Sequence, residues 1–161
     1  MISTFRIDER LIHGQIIATW LKSLNISHLI VANDEAANNP MQQKMLKLAV
    51  PSNVKCLIKG VDDVIRILKD PRCEHMRIML IAGDPKDALS LLENVPEIGE
   101  INLANYGSIT TPDVPDKITL SPMVSLDKED IEYVNKIIDI GKPVFTQKTP
   151  VEQKKALKRI V

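Results

Sequence analysis

The chain has 161 residues, with 21 basic against 21 acidic, 44% hydrophobic and only 3% aromatic. That length suits one domain with a sizeable core, and the apolar share excludes a disordered chain. Zero formal net charge and few aromatic rings exclude a nucleic-acid binder, which needs an uncompensated basic face or stacking platforms.

In chain order, Ser3 to Asp8 reads as a strand. Gly14 to Asn25 reads as a helix, with Ile16, Ile17, Trp20, Leu21 and Leu24 on one face. Ser27 to Asn33 is a continuous apolar strand of the kind buried on both faces. Asn38 to Ala49 carries the helical stripe Met41, Met45, Leu48 and Ala49. Val54 to Ile58 is a third strand, and Val61 to Leu68 a helix ended by Asp70-Pro71. Met76 to Ala82 is a further apolar strand, followed by a helix with Asp84 as N-cap and Pro85 at its first position.

Ile98 to Leu103 is a short strand, and Asn105 to Asp116 a Gly/Pro-rich loop. Lys117 to Leu126 is strand-like but broken by Pro122, which predicts a bend or an edge. Asp127 caps a helix that runs to Ile140 and stops at Gly141. Val144 to Gln147 is a last strand, and Val151 to Ile160 is predicted as a final helix. Strands separated by single helices imply right-handed crossovers. The expected class is therefore α/β: a doubly wound, mostly parallel open sheet with helices on both faces, in one domain spanning 1–161.

Cys56 and Cys73 have no metal or redox spacing, and a disulfide between them is not expected. No apolar run approaches the roughly 20 residues of a membrane span, and the start of the chain does not look like a signal peptide. The expectation is a cytoplasmic protein. His28 and His75 flank strands and read as surface residues.

The segment Arg6-Ile-Asp-Glu-Arg-Leu-Ile-His-Gly-Gln15 places His13 where the first strand hands over to the first helix. Unpaired N–H groups and the helix dipole make such a junction an anion site. A histidine there can take a phosphoryl group as nucleophile, with Arg10 supplying a guanidinium for the phosphate oxygens. Gly14 allows an anion close to the backbone, and the Gly14 and Gln15 N–H groups can bind it. Asp8 can orient His13 or the loop; its alternative is a turn-forming aspartate. Arg6 lies inside the strand and reads as structural or partner-facing. Asp8, Glu9 and His13 match no common metal site, so no metal is expected. Gly83 and Ser108 sit at two other strand ends and can border the same pocket, or serve only as turn residues. Lys154, Lys155, Lys158 and Arg159 on the predicted last helix read first as a solvated face favourable to the helix dipole, and second as a docking surface for an acidic partner.

The decapeptide resembles the RIDDRLIHGQ signature of the cytoplasmic IIB component of mannose/fructose/sorbose-type sugar phosphotransferase systems (PTS). The resemblance extends to Trp20, to Ser27–Glu35 (SHLIVANDE), to Ala49–Val54 and to Val124–Ile131. It implies a sheet of about seven mostly parallel strands, of the doubly wound class. It also implies phosphorylation of His13 on Nδ1 by a phosphorylated IIA protein, then transfer to a sugar held by membrane IIC and IID components. No cofactor is implied, and homo-oligomers are common among such proteins. Glu9 departs from the family's commoner Asp, and the loop at Asn105–Ser108 departs from its frequent glycine pair. Two other readings remain open at this point: a non-catalytic phosphate- or nucleotide-binding module, and a regulatory homologue. Which sugar is served is not legible in the residues.

Overall fold

The computed structural model describes all 161 residues. Its main sheet has seven strands: β1 (Ile2–Asp8), β2 (His28–Ala32), β3 (Lys55–Lys59), β4 (Ile78–Ala82), β5 (Ile101–Asn105), β8 (Val144–Thr146) and β9 (Lys155–Ala156). The order is β3-β2-β4-β1-β5-β8-β9. All neighbours are parallel except the β8–β9 pair. A separate antiparallel ribbon joins β6 (Ile118–Ser121) and β7 (Val124–Leu126). The sequence-based expectation of a strand bent at Pro122 thus becomes a hairpin whose turn holds that proline, a position needing no ladder N–H.

The helices are α1 (residues 14–23), α2 (Asp34–Ala37), α3 (Pro40–Leu48), α4 (Val61–Leu68), α5 (Pro85–Asn94) and α6 (Lys128–Asp139). Their starts follow side-chain chemistry. Asp84 caps α5 through the Asp87 N–H at 2.8 Å, with Pro85 in the first turn. Asp127 caps α6 in a reciprocal arrangement with Asp130. Gly141, at φ +95°, ends α6 in the left-handed region. In α1 the five residues Ile16–Trp20 are wound as π-helix, which sequence periodicity did not predict.

Alternation along the strands feeds two cores. Phe5, Ile7, Ile30, Leu80 and Leu103 pack under α4, α5 and α6. Leu29, Val31, Met79 and Ile81 meet Ile16, Trp20 and Leu21 of α1 on the opposite face. Covering both faces is what a parallel sheet requires.

The predicted helix from Val151 to Ile160 is a correction: the segment runs as extended chain carrying β9. The edge of β8 offers unpaired backbone groups, and Leu157 N–H takes the Val144 carbonyl at 2.8 Å. Asn135 fastens Ile160 with two bonds of 2.8 and 2.7 Å, while Leu157 and Ile160 pack on the larger core. A ten-residue helix with no buried face has no comparable return. The basic residues therefore lie on no helix of their own: Lys154 pairs with Glu100, and Arg159 with Asp139 at the end of α6, both pairs exposed. Cys56 is half-buried on edge strand β3, Cys73 is buried, and both are free thiols.

Candidate active site

After β1 the chain crosses toward β2, whereas after β5 it runs toward β8. The carboxyl ends of β1 and β5 therefore flank a topological switch point, where open α/β sheets hold their ligands. His13 lies there, at the start of α1: its carbonyl accepts the first helical N–H groups, from Ile16 and Ile17. The Gly14 and Gln15 N–H groups have no protein acceptor, and a Cβ on Gly14 would meet nothing within 4 Å.

The turn that delivers His13 is built on Asp8. The Leu11 N–H reaches the Asp8 carbonyl at 3.1 Å, and the Arg10 N–H reaches Asp8 Oδ1 at 2.9 Å, closing an Asx-turn. Leu11 sits at φ +59°, a left-handed conformation costing about 1–2 kcal/mol for a non-glycine residue. Its side chain is buried, close to Gly83, where an added Cβ would come within 3.4 Å of Leu11 and 2.8 Å of Asn33 Nδ2. Gly83 thus supports the turn by being small.

Asp8 Oδ2 is the centre of a buried network. It accepts from His13 Nε2 at 2.7 Å, Arg6 Nε at 3.0 Å and Asn105 Nδ2 at 2.8 Å. Burial alone would raise the Asp8 carboxyl. The bonds from His13 and Asn105 and the Arg6 charge more than offset it and hold the group below its usual value. Arg6 is wholly buried; desolvation pulls its guanidinium below the ordinary value while Asp8 opposes this. The same guanidinium donates to Gln15 Oε1 at 2.9 Å and to the Lys148 carbonyl at 3.3 Å. Trp20 Nε1 donates to that carbonyl too, at 3.1 Å. Arg6 therefore ties β1, α1 and the chain after β8 together, which makes it structural.

A carboxylate only accepts, so Nε2 of His13 carries a proton, and in the neutral ring Nδ1 holds the free lone pair. Nδ1 is buried without any hydrogen-bond partner, a rare state for a polar atom. The bond to Asp8 fixes which nitrogen points inward and holds the ring in one orientation.

A family model described as the PTS system sorbose subfamily IIB component matches residues 2–161. The chain belongs to that family. It is 38% identical over 162 residues to a probable phosphotransferase enzyme IIB component of Streptococcus pyogenes, covering 100% of this chain and 99% of that protein. It is 30% identical to the mannose-specific EIIAB component of Escherichia coli K12, covering 96% of this chain but 46% of that longer protein. The solved N-acetylgalactosamine-specific IIB component 1 of Escherichia coli superposes with a TM-score of 0.85 at 27% identity, covering 98% of this chain and all of that one. As a sorbose-subfamily IIB component, the chain has a general role in phosphotransferase-system sugar phosphotransfer. None of its helices is long and apolar enough to cross a membrane.

Within this IIB chain, the structure brings Asp8, His13, Gly14 and Gln15 together. Arg10 is exposed and its guanidinium forms no ion pair, so it makes no salt bridge with Asp8 or Glu9. Ser108 is held through its backbone: its N–H donates to Glu9 Oε2 at 3.0 Å. Sequence reasoning gave Asn105 no more than a place in a strand end that can border the pocket, and the Lys148 carbonyl escaped it. The signal for Asn105 was present, since a polar side chain inside the apolar run Ile101–Asn105 requires a buried partner.

Gly107, just past β5, has φ +98°, and a Cβ there would stand 2.0 Å from the Ser125 carbonyl oxygen. Gly107→Ala is expected to lower stability by about 2–4 kcal/mol, from left-handed strain plus steric overlap. Urea unfolding measures this; a loss below about 1 kcal/mol would show that the backbone relaxes at small cost.

Proposed function

We propose that His13 accepts a phosphoryl group on Nδ1 from a phosphorylated IIA protein and passes it to a sugar presented by membrane IIC and IID components. The observation that carries this reading is the division of labour on the ring. Nε2 is committed to Asp8 at 2.7 Å, and Nδ1 alone is unbonded. The Nδ1 lone pair forms the N–P bond as the bond from phosphorus to the donor's nitrogen breaks, so no proton need be removed from His13 first. The ring acquires positive character, which the ionised Asp8 stabilises through Nε2–H. Arg10 and the open Gly14 and Gln15 N–H groups supply donors for the phosphoryl oxygens. In the second half, a sugar hydroxyl oxygen bonds phosphorus as the N–P bond breaks; that electron pair returns to Nδ1, and the hydroxyl proton passes to solvent.

Nδ1 is covered in the free chain, so donor docking has to displace what lies over it. This reading needs neither metal nor organic cofactor, because phosphoryl transfer rests on positioning and charge stabilisation. The names of the relatives support partnership with IIA; the mannose relative is named EIIAB. The sugar stays unassigned, since relatives named for mannose, sorbose, fructose and N-acetylgalactosamine all match. The test is phosphorus NMR with intact mass after incubation with phosphoenolpyruvate, the general PTS proteins and a IIA protein. The expected product is a single phosphoryl adduct with the Nδ1 shift; an Nε2 adduct, or none, would overturn the assignment.

A further inference from the structure

The carboxylate of Glu9 is filled from one side by a loop. It accepts the N–H groups of Gly107 at 3.1 Å, Ser108 at 3.0 Å, Ile109 at 3.2 Å and Thr110 at 2.9 Å. Successive N–H groups converging on one anion form a nest, a feature that binds carboxylate or phosphate. Burial alone would raise the Glu9 carboxyl, but these bonds hold it below its usual value, so it is an anion at neutral pH. The clamp is directly continuous with the His13 network. Glu9 follows Asp8, and its own N–H donates to the Asn105 carbonyl at 2.9 Å. Asn105 in turn shares Asp8 Oδ2 with His13.

The outer side of this loop and of the start of β6 exposes apolar side chains, with Asp113 and Asp116 exposed among them. Ile109 is 62% exposed, Val114 40% and Ile118 38%, with Pro112 and Pro115 exposed between them. An exposed apolar group of this kind beside a reacting centre marks an interaction surface. The loop is linked to the His13 network through Glu9 and Asn105, and with the exposed cation Arg10 next to Glu9 in the chain it fits a protein that brings a phosphoryl group forward from an apolar rim.

We propose that Glu9 is a positioning residue: its carboxylate holds loop 107–110 in the shape that docks the protein phosphoryl donor. This rests on the reading of His13 as phosphoryl acceptor, and the experiment separates the two. Wild type and Glu9→Gln are phosphorylated in parallel by phosphoramidate, a small donor that needs no docking surface, and by a phosphorylated IIA protein that phosphorylates the wild type. Glu9→Gln places an amide NH₂ against N–H donors, releasing the loop. The expected result is an apparent KM for the IIA protein raised ~5-fold or more, kcat within about twofold, and an unchanged phosphoramidate rate. Amide exchange at 107–110 should accelerate by ~10-fold or more with the rest of the chain unaltered. Glu9→Asp, which keeps the charge, should recover most of the KM. An unaltered KM for Glu9→Gln overturns the proposal, as does an equal loss with both donors, which would place Glu9's effect on His13 itself. A wild type that takes phosphate from neither donor overturns the underlying reading instead.

Discussion

Replacing His13 with alanine is expected to abolish phosphoryl acceptance while the fold survives. The other two histidines cannot substitute. His28 begins β2 and bonds Ser27 Oγ at 2.8 Å, and His75 precedes β4. Both stand at the amino ends of parallel strands, the edge of the sheet opposite His13. Loss of the imidazole leaves Asp8 with Arg6 Nε, Asn105 Nδ2 and the Arg10 N–H, so the buried carboxylate stays paired. The stability cost is then about 1–3 kcal/mol, the range for one buried hydrogen bond and a small cavity. A domain with roughly 5–15 kcal/mol in hand tolerates that. Intact mass after exposure to the phosphorylated IIA protein reads the transfer, and urea unfolding reads the fold. An alanine variant that still carries phosphate on nitrogen would remove His13 from the centre of the mechanism.

The elements closest to sequence expectation are those whose signals are local. Val61–Leu68 matches residue for residue, because a strongly amphipathic stripe ends at a proline-containing turn. The Asp84-Pro85 and Asp127 starts match because capping is a bond between a side chain and a nearby backbone N–H. The misread segments depend on remote chain. The 151–160 region has helical composition, yet the edge of β8 and the Asn135 amide, both distant in sequence, determine its form. The apolar stripe places Ile16 and Trp20 on one buried face, as found, but it does not distinguish the π-winding of Ile16–Trp20 from ordinary helix.

The same division holds in the site. His13 at a strand-to-helix junction is legible from ten consecutive residues. Asn105 lies 97 residues from Asp8, and the Lys148 carbonyl 142 residues from Arg6, so only the folded sheet brings them together. Glu9 looked like a neutral exchange for aspartate. Its role became visible only with the loop about 100 residues away wrapped around its carboxylate.

Asp8→Asn carries the second large effect, on stability and on chemistry together. The aspartate receives donors on both oxygens: Arg10 N–H on Oδ1, and Arg6, His13 and Asn105 on Oδ2. An amide has one acceptor oxygen. Whichever way it turns, an NH₂ faces at least one buried donor, and the Arg6 guanidinium loses its counter-charge. Breaking a buried pair this way costs about 3–5 kcal/mol. The pH dependence follows in sign. The folded Asp8 carboxyl titrates below its unfolded value, so its stabilisation is present above the unfolded pKa and is lost as pH falls through the lower folded one. In Asp8→Asn that acid limb disappears from the stability profile. Where the amide turns its NH₂ toward His13, Nε2 becomes the acceptor and the proton moves to Nδ1, blocking the nucleophile. Wrong-tautomer effects of this type slow histidine-dependent catalysis by ~10³-fold or more. Phosphoramidate labelling rates, measured where urea titration shows the variant still folded, isolate the chemical loss from the stability loss. A rate within about tenfold of wild type would mean that Asp8 serves the fold alone, and that another feature sets the reactivity of Nδ1.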